Sequence, residues 1–317
     1  MAGLRGLPVA EVLARAQSGD RRAIGRVLSI AERGGSEGLA LGELAHAQTG
    51  NAHVVGITGA PGAGKSTLTG RLAATLTASG RNVAVLAIDP SSPVTGGAIL
   101  GDRIRMDELN YGTGTFIRSM ATRGQGGGLA VAVPAAIRAL DAVGFDLIIV
   151  ETVGVGQIEI DIAGTADTTV IVVTPGWGDA VQANKAGLLE LADVFVVNKA
   201  DRPGASDSRR DLELMLDLSD TSEWRPEVTL TVGTSGDGID ELITEIARHR
   251  TFLDGEGRLA ERRRRRAQHE LRVRAADSLL TRLNDHLDSE AGAGITNSMA
   301  SGANTPAEAL KDLLDSL

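Results

Sequence analysis

Hydrophobic positions follow two textures along the chain. Over residues 8–48 they recur at helical spacing, as Val9, Val12 and Leu13 and then Ile24, Val27, Leu28 and Ala31, which is the stripe of an amphipathic helix. Ser18-Gly19-Asp20 interrupts the stripe and predicts a cap for the following helix. From His53 onward the apolar residues form short continuous runs: His53–Thr58, Val83–Ile88, Asp146–Thr152, Thr169–Thr174, Val194–Asn198 and Val228–Val232. Unbroken runs of this length predict strands buried on both faces of a parallel sheet. Helical stretches separate most of them, as at Ser66–Ser79, Leu129–Val143 and Ala180–Leu191. The alternation predicts an α/β fold, a doubly wound and mostly parallel sheet, whose ligands bind beyond the carboxyl ends of the strands. The expected organisation is a helical extension over 1–50, the α/β domain over 51–254 and a helical arm over 255–317.

The arm carries five consecutive arginines, Arg262–Arg266, flanked by Glu256, Glu261 and Glu270 and followed by Leu271, Val273 and Leu279. Interleaved acids and leucines favour a solvated helical arm over a nucleic-acid tail. Ala291–Pro306, rich in Gly, Ser, Asn and Thr, reads as a flexible loop, and Leu310, Leu313, Leu314 and Leu317 as a last short helix.

Composition narrows the chemistry. Among 317 residues, 42% are hydrophobic and 23% charged, which fits a globular protein and excludes global disorder. Aromatics are only 2%, so the core has to be aliphatic. With no Cys, disulfides, thiolate metal sites and a Cys nucleophile are excluded. Five scattered His exclude a His-rich metal store, and a net charge of −9 argues against non-specific nucleic-acid binding. The N-terminal stretch carries charges among its apolar residues and does not read as a secretory signal, and no run is long enough to span a membrane. The expected compartment is the cytoplasm.

One motif is complete. Gly59-Ala60-Pro61-Gly62-Ala63-Gly64-Lys65-Ser66 fits G-x-x-x-x-G-K-[ST], follows a predicted strand and opens a predicted helix that continues with Thr67. Glycines let backbone N–H groups approach phosphate oxygens, and the helix N-terminus adds positive partial charge. Lys65 is expected to neutralise the β and γ phosphates, and the Ser66 hydroxyl to hold Mg²⁺.

Two further strands end in carboxylates: Asp89, in Asp89-Pro-Ser-Ser-Pro93, and Glu151, in Glu151-Thr-Val-Gly154-Val-Gly-Gln157. A hard cation beside phosphates needs oxygen ligands at that edge, so both are candidate metal ligands with Ser66. Asp102 follows a glycine-rich stretch and joins them as a candidate. Gly154 can approach a γ-phosphate and make the loop after it a switch. Gln157 could orient water. The candidate catalytic set is therefore Lys65, Asp102, Glu151 and Gln157.

Asn198-Lys199-Ala200-Asp201 follows the strand Val194–Asn198 and matches N-K-x-D. A carboxylate at Asp201 accepts both the N1–H and the exocyclic amine of guanine, a donor pair that adenine lacks. Asn198 can bridge neighbouring loops, and the Lys199 stem can lie along the base. Gly233 and Thr234, after the last strand, are candidates for contact with the guanine oxygen. The expected ligands are thus GTP and GDP with Mg²⁺.

Together these segments resemble the MeaB/ArgK family of SIMIBI-class P-loop GTPases, from about Gly19 to Glu241. The most specific pieces are Gly62–Thr67, Asp89–Ser92, Leu100–Arg103, Glu151–Gln157 and Asn198–Asp201. Glu151 stands where Ras-like GTPases have Asp. Pro175–Lys185 resembles the family's additional switch through Asp179, Gln182 and Lys185, whereas Trp177 and Ala180 depart from it. The lysine that opens the P-loop of other SIMIBI proteins is absent, because this loop begins Gly59-Ala60-Pro61. The resemblance implies a homodimer built through the C-terminal arm. It also implies a GTPase chaperone that gates adenosylcobalamin loading or protection of an acyl-CoA mutase such as methylmalonyl-CoA mutase. The alternatives are an amino-acid transport-system kinase, the older ArgK reading, and a nucleotide-dependent binding scaffold with incidental hydrolysis.

Overall fold

The computed structural model describes residues 4, 6–90, 114–122, 128–152, 164–176, 191–218 and 223–316. It divides into two compact units, Met1–Arg266 and Ala267–Leu317.

The first unit is organised on a seven-stranded sheet of order β3-β2-β4-β1-β5-β6-β7. The strands are β1 (His53–Gly59), β2 (Val83–Pro90), β3 (Phe116–Thr122), β4 (Leu147–Thr152), β5 (Thr168–Val173), β6 (Val194–Asn198) and β7 (Val228–Thr231). Every pairing among them is parallel. β3 is the strand absent from the hydrophobic reading. It lies at the sheet edge and carries Arg118 and Ser119 at half-exposed positions, which break the apolar run.

The predicted N-terminal helices form as α1 (Val9–Gln17), α2 (Arg21–Arg33) and α3 (Gly35–His46). Asp20 caps α2, its carboxylate accepting the Arg22 and Ala23 N–H groups at 2.9 and 3.2 Å. The apolar stripe of α2, Val27, Leu28 and Ile30 among it, is buried with α5 (Gly128–Val143) and with Val54, Leu86, Ile148 and Val150 of the sheet. The alternate residues Val55, Ile57, Val85, Ile149 and Val172 face the opposite layer, α4 (Lys65–Ala78) and α7 (Ile239–Asp254). α6 (Ala205–Leu218) packs on Ile171, Phe195 and Val197. Burial on both faces is why these strands read as continuous apolar runs.

The arginine run corrects one expectation. It lies on α8 (Arg258–Leu287), and its first turns are not a solvated arm. Arg263 donates to Asp167 at 2.9 Å and to the Gly50 and Ala52 carbonyls at 2.6 and 2.9 Å. Arg262 grips Asp193, and Arg266 donates to the Thr165 carbonyl at 2.8 Å. Only Arg264 and Arg265 turn outward, both onto Glu261. These acceptors precede β1, β5 and β6, so the arginines tie the amino ends of central strands together.

The second unit continues α8 and adds α9 (Glu290–Ala300) and α10 (Pro306–Ser316). α9 corrects the loop expected over Ala291–Pro306. Ser289 caps it through the Gly292 N–H, and Gly292 is buried where a side chain would collide with the backbone at His286 and Leu287. The small residues there serve close packing.

Candidate nucleotide site

At the carboxyl edge, β1 runs between β4 and β5, with Ile57 opposite Glu151 and Gly59 opposite Val172. The chain turns into α4 through Gly59–Gly64. Gly59 has φ 140°, and a side chain there would collide with the Val172 carbonyl. Gly62 and Gly64 are left-handed, with φ 76° and 87°. A Cβ on Gly64 would come within 2.5 Å of Asn198 Nδ2. The glycines are thus required both by backbone conformation and by the close approach of a neighbouring strand and loop. Ala60 and Pro61 are exposed at the loop tip, and Ala63 is buried.

Lys65 is buried, and its ammonium donates to the Gly59 and Ala60 carbonyls at 2.6 and 3.0 Å. It therefore lies folded over the loop. One residue on, the Ser66 hydroxyl donates to Glu151 Oε1. Glu151 is buried at the end of β4, between β1 and β2. A hydroxyl and a carboxylate held together beside a glycine loop form a hard-oxygen donor set suited to Mg²⁺. Thr152 donates to Thr58 at 3.1 Å and ties β4 to β1. The backbone of β2 carries Asp89 to this edge, paired to β3. The Asp89 side chain lies outside the described residues, as do Asp102, Gly154, Gln157, Trp177, Asp179, Gln182 and Lys185 and all but the last residue of the helix expected over Ala180–Leu191.

Asn198 joins the phosphate loop to the predicted base site. Its Nδ2 donates to the Ala63 carbonyl at 2.8 Å, and its Oδ1 accepts from Gly233 N–H at 3.1 Å and Thr231 Oγ1 at 3.2 Å. Lys199 takes a positive φ of 60° and donates to the Gly62 carbonyl at 2.7 Å. Together with Gly64, Thr67, Asp201 and Thr234, they line a cleft of about 140 Å³. Arg202 and Val232 line it too, although no motif marks them. Arg71, one helical turn past Thr67, donates to the Thr234 carbonyl at 2.5 Å. Neither arginine is legible in the sequence, because their roles depend on how the chain returns to α4.

The structure thus brings together Gly59 to Thr67, Glu151, Asn198, Lys199, Asp201, Gly233 and Thr234 at one edge. The arrangement offers a phosphate loop, oxygen donors and a base cleft in sequence along one groove.

Comparison with known proteins adds the family. Residues 22–288 match the family described as methylmalonyl Co-A mutase-associated GTPase MeaB. A Pyrococcus horikoshii protein named as a GTPase is 51% identical over 270 residues, covering 84% of this chain and 85% of its own length. A fused isobutyryl-CoA mutase of Cupriavidus metallidurans is 42% identical over 199 residues, which are 62% of this chain and 18% of that protein. The crystal structure of an LAO/AO transport system kinase superposes with a TM-score of 0.73 at 26% identity, covering 99% of both chains. The family match runs from the start of α2 to the end of α8, and the chain belongs to the methylmalonyl-CoA mutase-associated GTPase MeaB family.

Proposed function

We propose that this chain binds GTP with Mg²⁺ at the carboxyl edge, hydrolyses it to GDP and phosphate, and uses the nucleotide state to gate adenosylcobalamin loading or protection of an acyl-CoA mutase. Methylmalonyl-CoA mutase is the first candidate. One observation carries the nucleotide part. Asn198 bonds at once to Ala63 of the phosphate loop and Gly233 of the last-strand loop, so the phosphate and base halves form one groove.

In this reading Lys65 exchanges its carbonyl partners for β and γ phosphate oxygens. The Gly59–Gly64 backbone cradles the phosphates through its N–H groups. Ser66 and Glu151, with Asp89 and Asp102, would hold Mg²⁺, which when bound neutralises phosphate charge. Asp201 accepts the guanine N1–H and amine, and Lys199 flanks the base. Gly154 and Gln157 are the proposed γ-phosphate contact and water-orienting group. Pro175–Lys185, which follows β5 and resembles the family's additional switch, is the proposed segment that reports nucleotide state to the partner.

Support for the mutase comes from the family's description and from a relative in which a homologous segment lies inside a mutase polypeptide. Support for an amino-acid transport kinase comes from the superposing LAO/AO transport system kinase. The two readings differ in whether phosphate passes to water or to protein. The test is capture of partners from native extract on the tagged protein, with a non-hydrolysable GTP analogue and with GDP, read by mass spectrometry. A cobalamin-dependent mutase enriched in one nucleotide state is expected. Equal recovery of the mutase in both states, or its absence from both, contradicts the gating role.

A further inference from the structure

The loop after β7 forms one side of the base cleft, through Val232, Gly233 and Thr234. Val232 bridges to Asp237 across it, and the Gly236 N–H donates to the Val232 carbonyl at 2.8 Å. The loop crosses the first turn of α4 at close range. A Cβ on Gly233 would lie 3.4 Å from the Leu68 nitrogen and 3.5 Å from Thr67 Cγ2.

Thr234 is held between two anchors. On one side the Gly233 N–H donates to Asn198 Oδ1 at 3.1 Å. On the other, the Thr234 carbonyl accepts from Arg71 Nη2 at 2.5 Å. The second bond is charge-assisted, and such bonds are roughly twice as strong as neutral ones. The Thr234 N–H lies between the anchors and has no acceptor among the described residues. Arg71 belongs to α4, the helix that opens at the phosphate loop and whose Thr67 lines the same cleft. It therefore ties the loop at the base end to the element that sets the phosphate end.

We infer that Arg71 is a positioning residue for base recognition. It holds the Thr234 backbone at the cleft so that the Thr234 N–H meets the carbonyl oxygen of guanine. The inference rests on the guanine reading of the cleft. Asp201 reads the N1–H and amine edge of the base, and the loop that Arg71 holds reads the oxygen.

The test is competition binding of GDP, 6-thio-GDP, IDP and ADP to the full chain. Sulfur at position 6 accepts a hydrogen bond less well than oxygen, and the parent should prefer GDP over 6-thio-GDP by about fivefold or more. Arg71 is exposed on a helix, where Ala is the best helix former, so Arg71→Ala keeps the fold. That variant should bring the GDP to 6-thio-GDP ratio below about twofold. The GDP to IDP ratio, which reads the amine at Asp201, should stay as in the parent. Only one guanidinium nitrogen bonds Thr234, so Arg71→Lys, which keeps a charged donor, should restore most of the lost ratio. A merely structural role would weaken all four nucleotides together and leave both ratios alone. A parent that prefers GDP over ADP, with an Arg71→Ala variant whose 6-thio ratio matches the parent, overturns the role of Arg71 alone. So does a parent that binds GDP and 6-thio-GDP equally, or an Arg71→Ala variant whose IDP ratio falls as far as its 6-thio ratio. A parent that binds ADP as well as GDP overturns the guanine reading and this inference with it.

Discussion

Two buried acids mark the two ends of the sheet. Glu151 ends β4 and reaches Ser66, whereas Asp167 precedes β5 and accepts the Val54 N–H at 3.1 Å and two bonds from Arg263. Burial pushes the Asp167 pKa up, but the Arg263 hydrogen bond and the nearby Arg266 charge outweigh it and hold the carboxyl below its ordinary value. Sequence separates such acids by one rule, that a ligand-binding acid follows its strand, and the rule finds Glu151. It does not reveal the amino-end network, because His53, Thr168, Asp193 and His249 are scattered and form no motif. There Thr168 Oγ1 lies 2.8 Å from both His53 Nε2 and His249 Nδ1, and His249 Nε2 lies 3.2 Å from Asp193. Burial lowers both histidines from 6.5 to about 4. They are neutral when folded but take up protons when unfolded, so their contribution is complete above pH 6.5 and is lost as pH falls toward 4. Denaturant unfolding across that window should lose on the order of a few kcal/mol. His249→Gln should lower the slope by about one proton; an unchanged slope would count against the buried neutral histidine. At the other end, Asp201→Asn removes the acceptor for two guanine donors. Each bond to a charged group is worth about 1.5 kcal/mol or more, so GDP should bind on the order of 10²-fold more weakly and XDP should gain. Competition binding with both nucleotides checks this, and an unaltered GDP preference would remove Asp201 from base recognition.

Elements are legible where one force dominates. Continuous apolar runs mark six of the seven strands because those strands are buried on both faces. The edge strand β3 is hidden by its polar positions. Helical periodicity and the Asp20 cap mark the N-terminal helices, for the same reason. The first turns of α8 mislead because charge in a sequence carries no direction. Five arginines in a row resemble a solvated face until three of them meet Asp167, Asp193 and strand-entry carbonyls. Arg263→Ala should leave the buried Asp167 charge with only the longer Arg266 contact at 3.4 Å and free two carbonyls, costing about 3 kcal/mol. Arg264→Ala, which loses only an exposed, solvent-screened pair with Glu261, should leave stability almost unchanged. Urea midpoints of the two variants decide it; equal losses would deny the clamp.

At the scale of the whole molecule, the second unit leaves Leu271, Leu279 and Leu280 exposed by 67%, 60% and 52%. Exposed leucines along one helix offer apolar surface for association, and we propose that two copies meet along this part of α8. Leu279→Glu should convert a dimer to a monomer in sedimentation velocity, and a parent that already sediments as a monomer would rule this out. The central claim concerns the groove at the carboxyl edge, and its most direct measurement is phosphate release from GTP and from ATP by the full chain, with Mg²⁺ and with excess chelator. Release from GTP that requires Mg²⁺, exceeds release from ATP and disappears in Lys65→Ala is the predicted result. Release that persists in chelator, runs equally on ATP or survives Lys65→Ala would contradict it.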